Sequence, residues 1–276
     1  MQTILRILPD DLRQQVHKTA ADEIEEIRLR LGRRVSIATR RTELVGDAIV
    51  NASHIDYILA AATGSSLYSV HDSVRDGYIT ISGGHRIGLC GHAVMENDRV
   101  KTFREISSLS IRVAKERKGI GSAPQASALI LGPPGYGKTT LLRDCVRILS
   151  DEVRSRVGLV DERCEVAACC GGIPQFCVGQ RTDVLSGCRK AVGISLLLRS
   201  MNPEWIAVDE ITREEDVNAI CRGSYCGVRF LATAHAMDAE DLNRRPVYRL
   251  LLKRGVFSEL LILQRDHSYI RQRLVI

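Results

Sequence analysis

Residues 129–142 read Leu-Ile-Leu-Gly-Pro-Pro-Gly-Tyr-Gly-Lys-Thr-Thr-Leu-Leu: an apolar run, a glycine-rich turn, then Lys138-Thr139-Thr140. From Gly132 through Pro133, Pro134, Gly135, Tyr136, Gly137 and Lys138 to Thr139, the stretch fits the phosphate-loop pattern G-x-x-x-x-G-K-[ST] without a substitution. The context agrees. Leu129, Ile130 and Leu131 suit a buried strand, and Leu141, Leu142, Cys145, Ile148 and Leu149 recur at the spacing of one helix face. Such a loop points backbone N–H groups at phosphate oxygens where the helix dipole already favours an anion. Lys138 is expected to reach the β- and γ-phosphates of ATP, and the Thr139 hydroxyl to sit on Mg²⁺.

Strand–helix alternation follows, as in a parallel α/β sheet. Val157-Gly-Leu-Val160 ends in Asp161-Glu162-Arg163, Trp205-Ile-Ala-Val208 in Asp209-Glu210, and Phe230-Leu-Ala-Thr233 in Ala234-His235. Ligands of open α/β sheets bind at the carboxyl ends of the strands, so these endings converge with the phosphate loop on one site. Asp209 is expected to hold Mg²⁺ and Glu210 to polarise the attacking water as general base. Asp161, Glu162 and Glu165 are expected to add a second acidic cluster beside the metal and the attacking water, with Glu162 a further catalytic candidate. His235 reads either as a γ-phosphate sensor or as a structural histidine.

Residues 115–127 interrupt the apolar periodicity, which divides the chain into an amino-terminal α+β domain, 1–117, and an ATPase domain, 118–276. In the first, Asp10 and Asp11 are expected to cap a short helix. Ile27, Leu29 and Leu31 alternate with arginines as on a strand, and Ser53-x-x-Asp56 opens a helix as a capping box. Tyr78–Ile81 and Arg86–Cys90 flank Ser82-Gly-Gly-His85 as a hairpin, and Ile106–Val113 forms a last strand.

The net charge of +6 is evenly spread: residues 1–127 carry 18 basic and 15 acidic side chains, residues 128–276 carry 21 and 18. With aromatics at 4%, base-stacking platforms are scarce and nucleic acid is not the expected partner. No apolar stretch approaches the ~18–20 residues of a membrane span, and Pro9-Asp10-Asp11 breaks any signal-peptide pattern. The nine cysteines contain no C-x-x-C pair and suit reduced cytosolic thiols better than zinc ligands.

The four boxes, at 132–140, 161–165, 205–210 and 233–235, resemble in order those of the secretion-type ATPases, RecA-like hexameric motors of type II and type IV secretion and pilus systems. Val178–Leu185, Leu198–Ile211, Gly83–Gly91 and Leu231–His235 more closely resemble the stage III sporulation AA family of spore-forming Firmicutes, over about residues 5–265. The resemblance implies a RecA-like P-loop core behind a smaller α+β domain. It further implies a homohexamer and a peripheral, cytoplasmic location in the mother cell, beside membrane-embedded components of a secretion-like channel to the forespore. Arg104 and Arg112 would act on a neighbouring subunit's nucleotide, as arginines of that domain do in secretion ATPases, with Arg199 and Arg181 as alternatives from the core. The chain departs from the secretion pattern in having Asp209 where glycine is usual, and in lacking a tetracysteine module. An accessory ATPase of the same fold acting on nucleic acid is the alternative reading.

Overall fold

The computed structural model describes residues 1–64, 77–96 and 98–274. They form two compact units, Met1–Lys115 and Glu116–Ile276.

The first unit contains α1 (Gln2–Ile7), α2 (Asp10–His17), β1 (Ile24–Arg30), β2 (Arg34–Thr39), β3 (Glu43–Ile49), α3 (Ala52–Thr63), β4 (Tyr78–Thr80), β5 (Arg86–Glu96) and β6 (Arg99–Arg112). The strands make one sheet in the order β3-β2-β1-β6-β5-β4, each neighbouring pair antiparallel. Period-2 alternation puts Ile27, Leu29, Val35, Ile37, Ile87, Leu89, Leu109 and Ile111 on one face. There they pack with Ile4, Leu12, Val16, Ile55 and Ile58 from the helices. Arg28, Arg30, Arg86, Arg112, Ser108 and Ser110 fall in register on the other face.

Three expectations need correcting here. Asp10 and Asp11 lie inside the first turn of α2, whose cap position is Pro9, and Asp10 pairs with Arg13 at 2.9 Å. The cap of α3 is Asn51, not Ser53. Its side chain accepts the His54 N–H at 3.0 Å while His54 Nδ1 accepts the Asn51 N–H at 3.4 Å. The last strand begins at Arg99, well before Ile106, and runs through a residue with positive φ, Glu105 at 48°. The hairpin between β4 and β5 forms as expected. Its turn is closed by His85, buried at 4% exposure, whose Nδ1 accepts the Ala114 N–H at 3.0 Å.

The second unit runs β7 (Ala128–Leu131), α4 (Lys138–Asp151), β8 (Val157–Asp161), β9 (Thr182–Ser186), α5 (Lys190–Ser200), β10 (Trp205–Val208), α6 (Glu214–Tyr225), β11 (Arg229–Ala234), α7 (Ala239–Arg244), α8 (Pro246–Lys253), β12 (Glu259–Leu263) and β13 (Tyr269–Arg273). The sheet order is β13-β12-β7-β11-β10-β8-β9, parallel throughout except for β13 at the edge. Both faces are covered. Leu129, Leu131, Ile206, Val208, Phe230 and Ala232 pack against α5, α6 and α8. Ala128, Ile130, Leu159, Trp205, Ala207 and Leu231 pack against Leu141, Leu142, Cys145 and Leu149 of α4. Each large side chain buried this way contributes about 1.5–3 kcal/mol. The chain leaves β7 toward β8 on one side, whereas it leaves β11 toward β12 on the other. The crevice at the carboxyl ends of β7 and β11 is therefore a topological switch point, where open sheets bind ligands.

Candidate functional site

The loop between β7 and α4 turns on two glycines with positive φ, Gly135 at 80° and Gly137 at 93°. A side chain is disfavoured at both, which explains why this turn needs glycine. Gly137 is the residue before α4, so the helix begins with Lys138. The Lys138 ammonium is buried and donates to the Gly132 and Pro133 carbonyls at 2.8 and 3.0 Å. It also meets His235 Nδ1 at 3.0 Å. Burial pushes its pKa below the ordinary lysine value, against the opposing pull of Asp209 and Glu210.

The acids of β10 are tied to this loop by hydroxyls. Thr139 Oγ1 donates to Asp209 Oδ2 at 2.8 Å, and Thr233 Oγ1, at the end of β11, donates to Asp209 Oδ1 at 2.5 Å. The same Thr233 oxygen accepts the Glu210 N–H at 2.7 Å. Glu210 itself has φ 54°, a left-handed conformation uncommon outside glycine. Its carboxylate meets His235 Nε2 at 3.2 Å and Arg163 at 3.7 Å. With the ammonium donating to Nδ1, Nε2 carries the proton that His235 donates to Glu210.

The second acidic cluster divides into two roles. Asp161 is 1% exposed and accepts the N–H groups of Glu165, Val166 and Ala167 at 2.9, 3.1 and 2.8 Å. Burial outweighs those bonds and keeps its pKa above the usual carboxylate range. Arg143 of α4 grips the same segment from its carbonyls, bonding Glu165 at 2.9 Å and Val166, with its guanidinium 4.1 Å from the Phe176 ring. Asp161 thus holds backbone, and Glu162 is bonded to Lys190 at the start of α5. Glu162, Arg163, Lys190, Asp209, Glu210 and Arg213 line a cleft of about 50 Å³.

The sequence-predicted Lys138, Thr139, Asp209, Glu210 and His235 therefore meet, with Glu162 in the adjoining cleft. Arg104 and Arg112 are exposed in the first unit, Arg104 opposite His92 and Arg112 opposite Glu26 and Arg86. Sequence reading missed Thr233 as a bridge, though a threonine in a fully buried apolar strand was a signal. It also missed Lys190 and His267. The latter, in the turn between β12 and β13, places Nδ1 3.2 Å from the Tyr136 carbonyl of the phosphate loop. The oxygen pair of Thr139 and Asp209, both hard ligands, suits Mg²⁺.

Among the described residues no helix is long and apolar enough to cross a membrane. The fold is a RecA-like P-loop α/β fold, shared with solved structures of other proteins. The X-ray structure of the Legionella pneumophila ATPase DotB matches with a TM-score of 0.59 at 15% identity, over 96% of this chain and 82% of that one. The crystal structure of the pilus retraction motor PilT with bound ADP matches with a TM-score of 0.63 at 13% identity, over 93% and 80%. In sequence, the chain is 37% identical to the stage III sporulation protein AA of Bacillus subtilis (strain 168), over 96% of this chain and 91% of that protein. A family model described as "Sporulation stage III, protein AA" matches residues 1–272, so a phosphate loop joined through hydroxyls to two strand-end acids belongs here to a member of that family.

Proposed function

We propose that this protein is a Mg²⁺-dependent ATPase working as a homohexameric motor with membrane-embedded components of a secretion-like channel between mother cell and forespore. One observation carries the reading: the hydrogen-bond chain Thr139–Asp209–Thr233–Glu210 connects the phosphate loop to both acids the chemistry needs. The backbone of residues 132–140 and Lys138 would hold the triphosphate, while Thr139 and Asp209 would hold the metal. Mg²⁺, when bound, supplies charge neutralisation on the phosphate oxygens. Glu210 accepts a proton from water, and His235 fixes that carboxylate while sensing the Lys138 ammonium. Phosphoryl transfer also gains from an arginine, by ~10³–10⁵ in rate. Arg104 and Arg112 are the proposed donors, acting across a subunit boundary.

The test is ATP hydrolysis measured over a wide dilution series. Wild-type turnover per subunit should rise steeply with concentration. Glu210→Gln should bind a fluorescent ATP analogue normally yet hydrolyse ATP ~10²-fold more slowly. Arg104→Ala or Arg112→Ala should lower turnover and spare binding. Constant turnover per subunit with only monomer present would defeat the ring, and an unimpaired Glu210→Gln would defeat the role of that acid.

A further inference from the structure

Lys190 breaks a local rule. It is the first residue of α5, where the helix dipole is positive and a cation is disfavoured. It is also only 6% exposed, although a buried lysine has to be paired. Two glycines bring it into place. A Cβ on Gly193 of α5 would stand 2.5 Å from Val160 of β8, and one on Gly158 of β8 would stand 2.9 Å from Leu197 of α5. Helix and strand therefore approach more closely than side chains would permit, and the lysine at the head of α5 reaches Glu162, the residue just past β8.

A buried ion pair is a poor device for stability, since desolvation offsets most of the attraction. Local rules that a chain breaks at a cleft are better explained by function. Four of the carboxylates around this cleft have different holders. Asp161 takes three backbone N–H groups. Asp209 takes two hydroxyls. Glu162 takes the Lys190 ammonium. Glu210 has the longer contacts, with His235 and Arg163. Burial alone would lift the Glu162 pKa, but the bond and charge of Lys190, aided by Arg213, bring it below the usual range.

Resting on the ATPase reading above, we propose that Lys190 is a positioning residue for hydrolysis: it clamps Glu162 in the wall of the cleft beside Glu210, so that Glu162 neither enters the site nor displaces the Thr212–Arg213 stretch that leads away from Glu210. Without the clamp, a half-buried carboxylate loses its direct partner and moves toward the arginines of the cleft, Arg163 and Arg213.

The experiment is a double-mutant cycle on the full chain, measuring kcat, KM for ATP and equilibrium binding of the fluorescent analogue. Lys190→Met should lower kcat by roughly 10-fold or more, with KM and binding near wild type. Adding Glu162→Gln to Lys190→Met should recover kcat by roughly 5-fold, because the double variant leaves no charge unpaired. Lys190→Arg, which keeps the charge and guards against a folding defect in the methionine variant, should stay within roughly 3-fold of wild type. A double variant no faster than Lys190→Met would overturn the proposal, since Lys190 would then act on something other than Glu162. So would a wild-type rate in Lys190→Met or a dead Lys190→Arg. If Glu210→Gln is inactive in the same assay while Lys190→Met is normal, only this inference fails. If wild-type protein shows no hydrolysis, the ATPase reading fails with it.

Discussion

The sheet of the first unit pairs antiparallel from β3 to β4, while that of the second runs parallel from β12 to β9. Antiparallel strands tolerate one face without a core, and here that face carries arginines and serines in register over several strands. Parallel strands need helices on both sides, so their interiors are apolar throughout and polar residues collect at the ends. This is why the polar and charged groups of the candidate site in the second unit gather at one end of its strands. Among its described residues the first unit presents a broad face of arginines and serines and no comparable convergence of acids. Charge spread over a face suits recognition, whereas charge gathered at strand ends suits catalysis.

The contrast can be tested most severely at Lys138. Lys138→Ala removes the one cation of the phosphate loop, and nucleotide binding and hydrolysis should both vanish while hydrogen exchange in the first unit stays unchanged. Retained turnover would break the assignment of chemistry to the second unit. A smaller effect belongs to the first unit and to pH. Burial depresses His85 to about 4 from an ordinary 6.5, so the folded form stays neutral where the unfolded chain takes up a proton. Stability from this group is complete above pH 6.5 and is lost as pH falls toward 4. Over the first one and a half units below 6.5 the loss is ~1–2 kcal/mol. His85→Gln should flatten that slope in exchange measurements on the first unit and leave the second unaffected. Smallest is Asn51→Ala, which removes the α3 cap and should cost about 1 kcal/mol, visible as faster exchange in the first turn of that helix alone.

Legibility in the sequence also differed between the two halves. The phosphate loop was readable because Gly135 and Gly137 occupy backbone conformations that few other residues accept. The strands ending at Asp161, Val208 and Ala234 were readable because a polar residue stands at or just after the end of each apolar run. β12 was missed although Leu260, Leu261 and Ile262 are apolar, since no chemical group follows them and nothing local says that their neighbour is β7. β9 was missed because it is half-exposed along its length and shows no clean alternation. In the first unit, Ser53 and Asn51 both suit a helix cap, and only the His54 partner decides between them. Pairings such as Lys190 with Glu162 join residues brought together by tertiary packing, beyond the reach of periodicity.

The backbone of Glu210 has one more implication. A non-glycine residue held at φ 54° stores on the order of 1 kcal/mol or more. A glycine at this position would relax that strain. On the general-base role proposed for Glu210, the chain keeps its glutamate against its own folding preference, and a sturdier but idle form of the protein lies one substitution away. Selection for robustness alone would erode this site, so its persistence would depend on continuous demand for turnover.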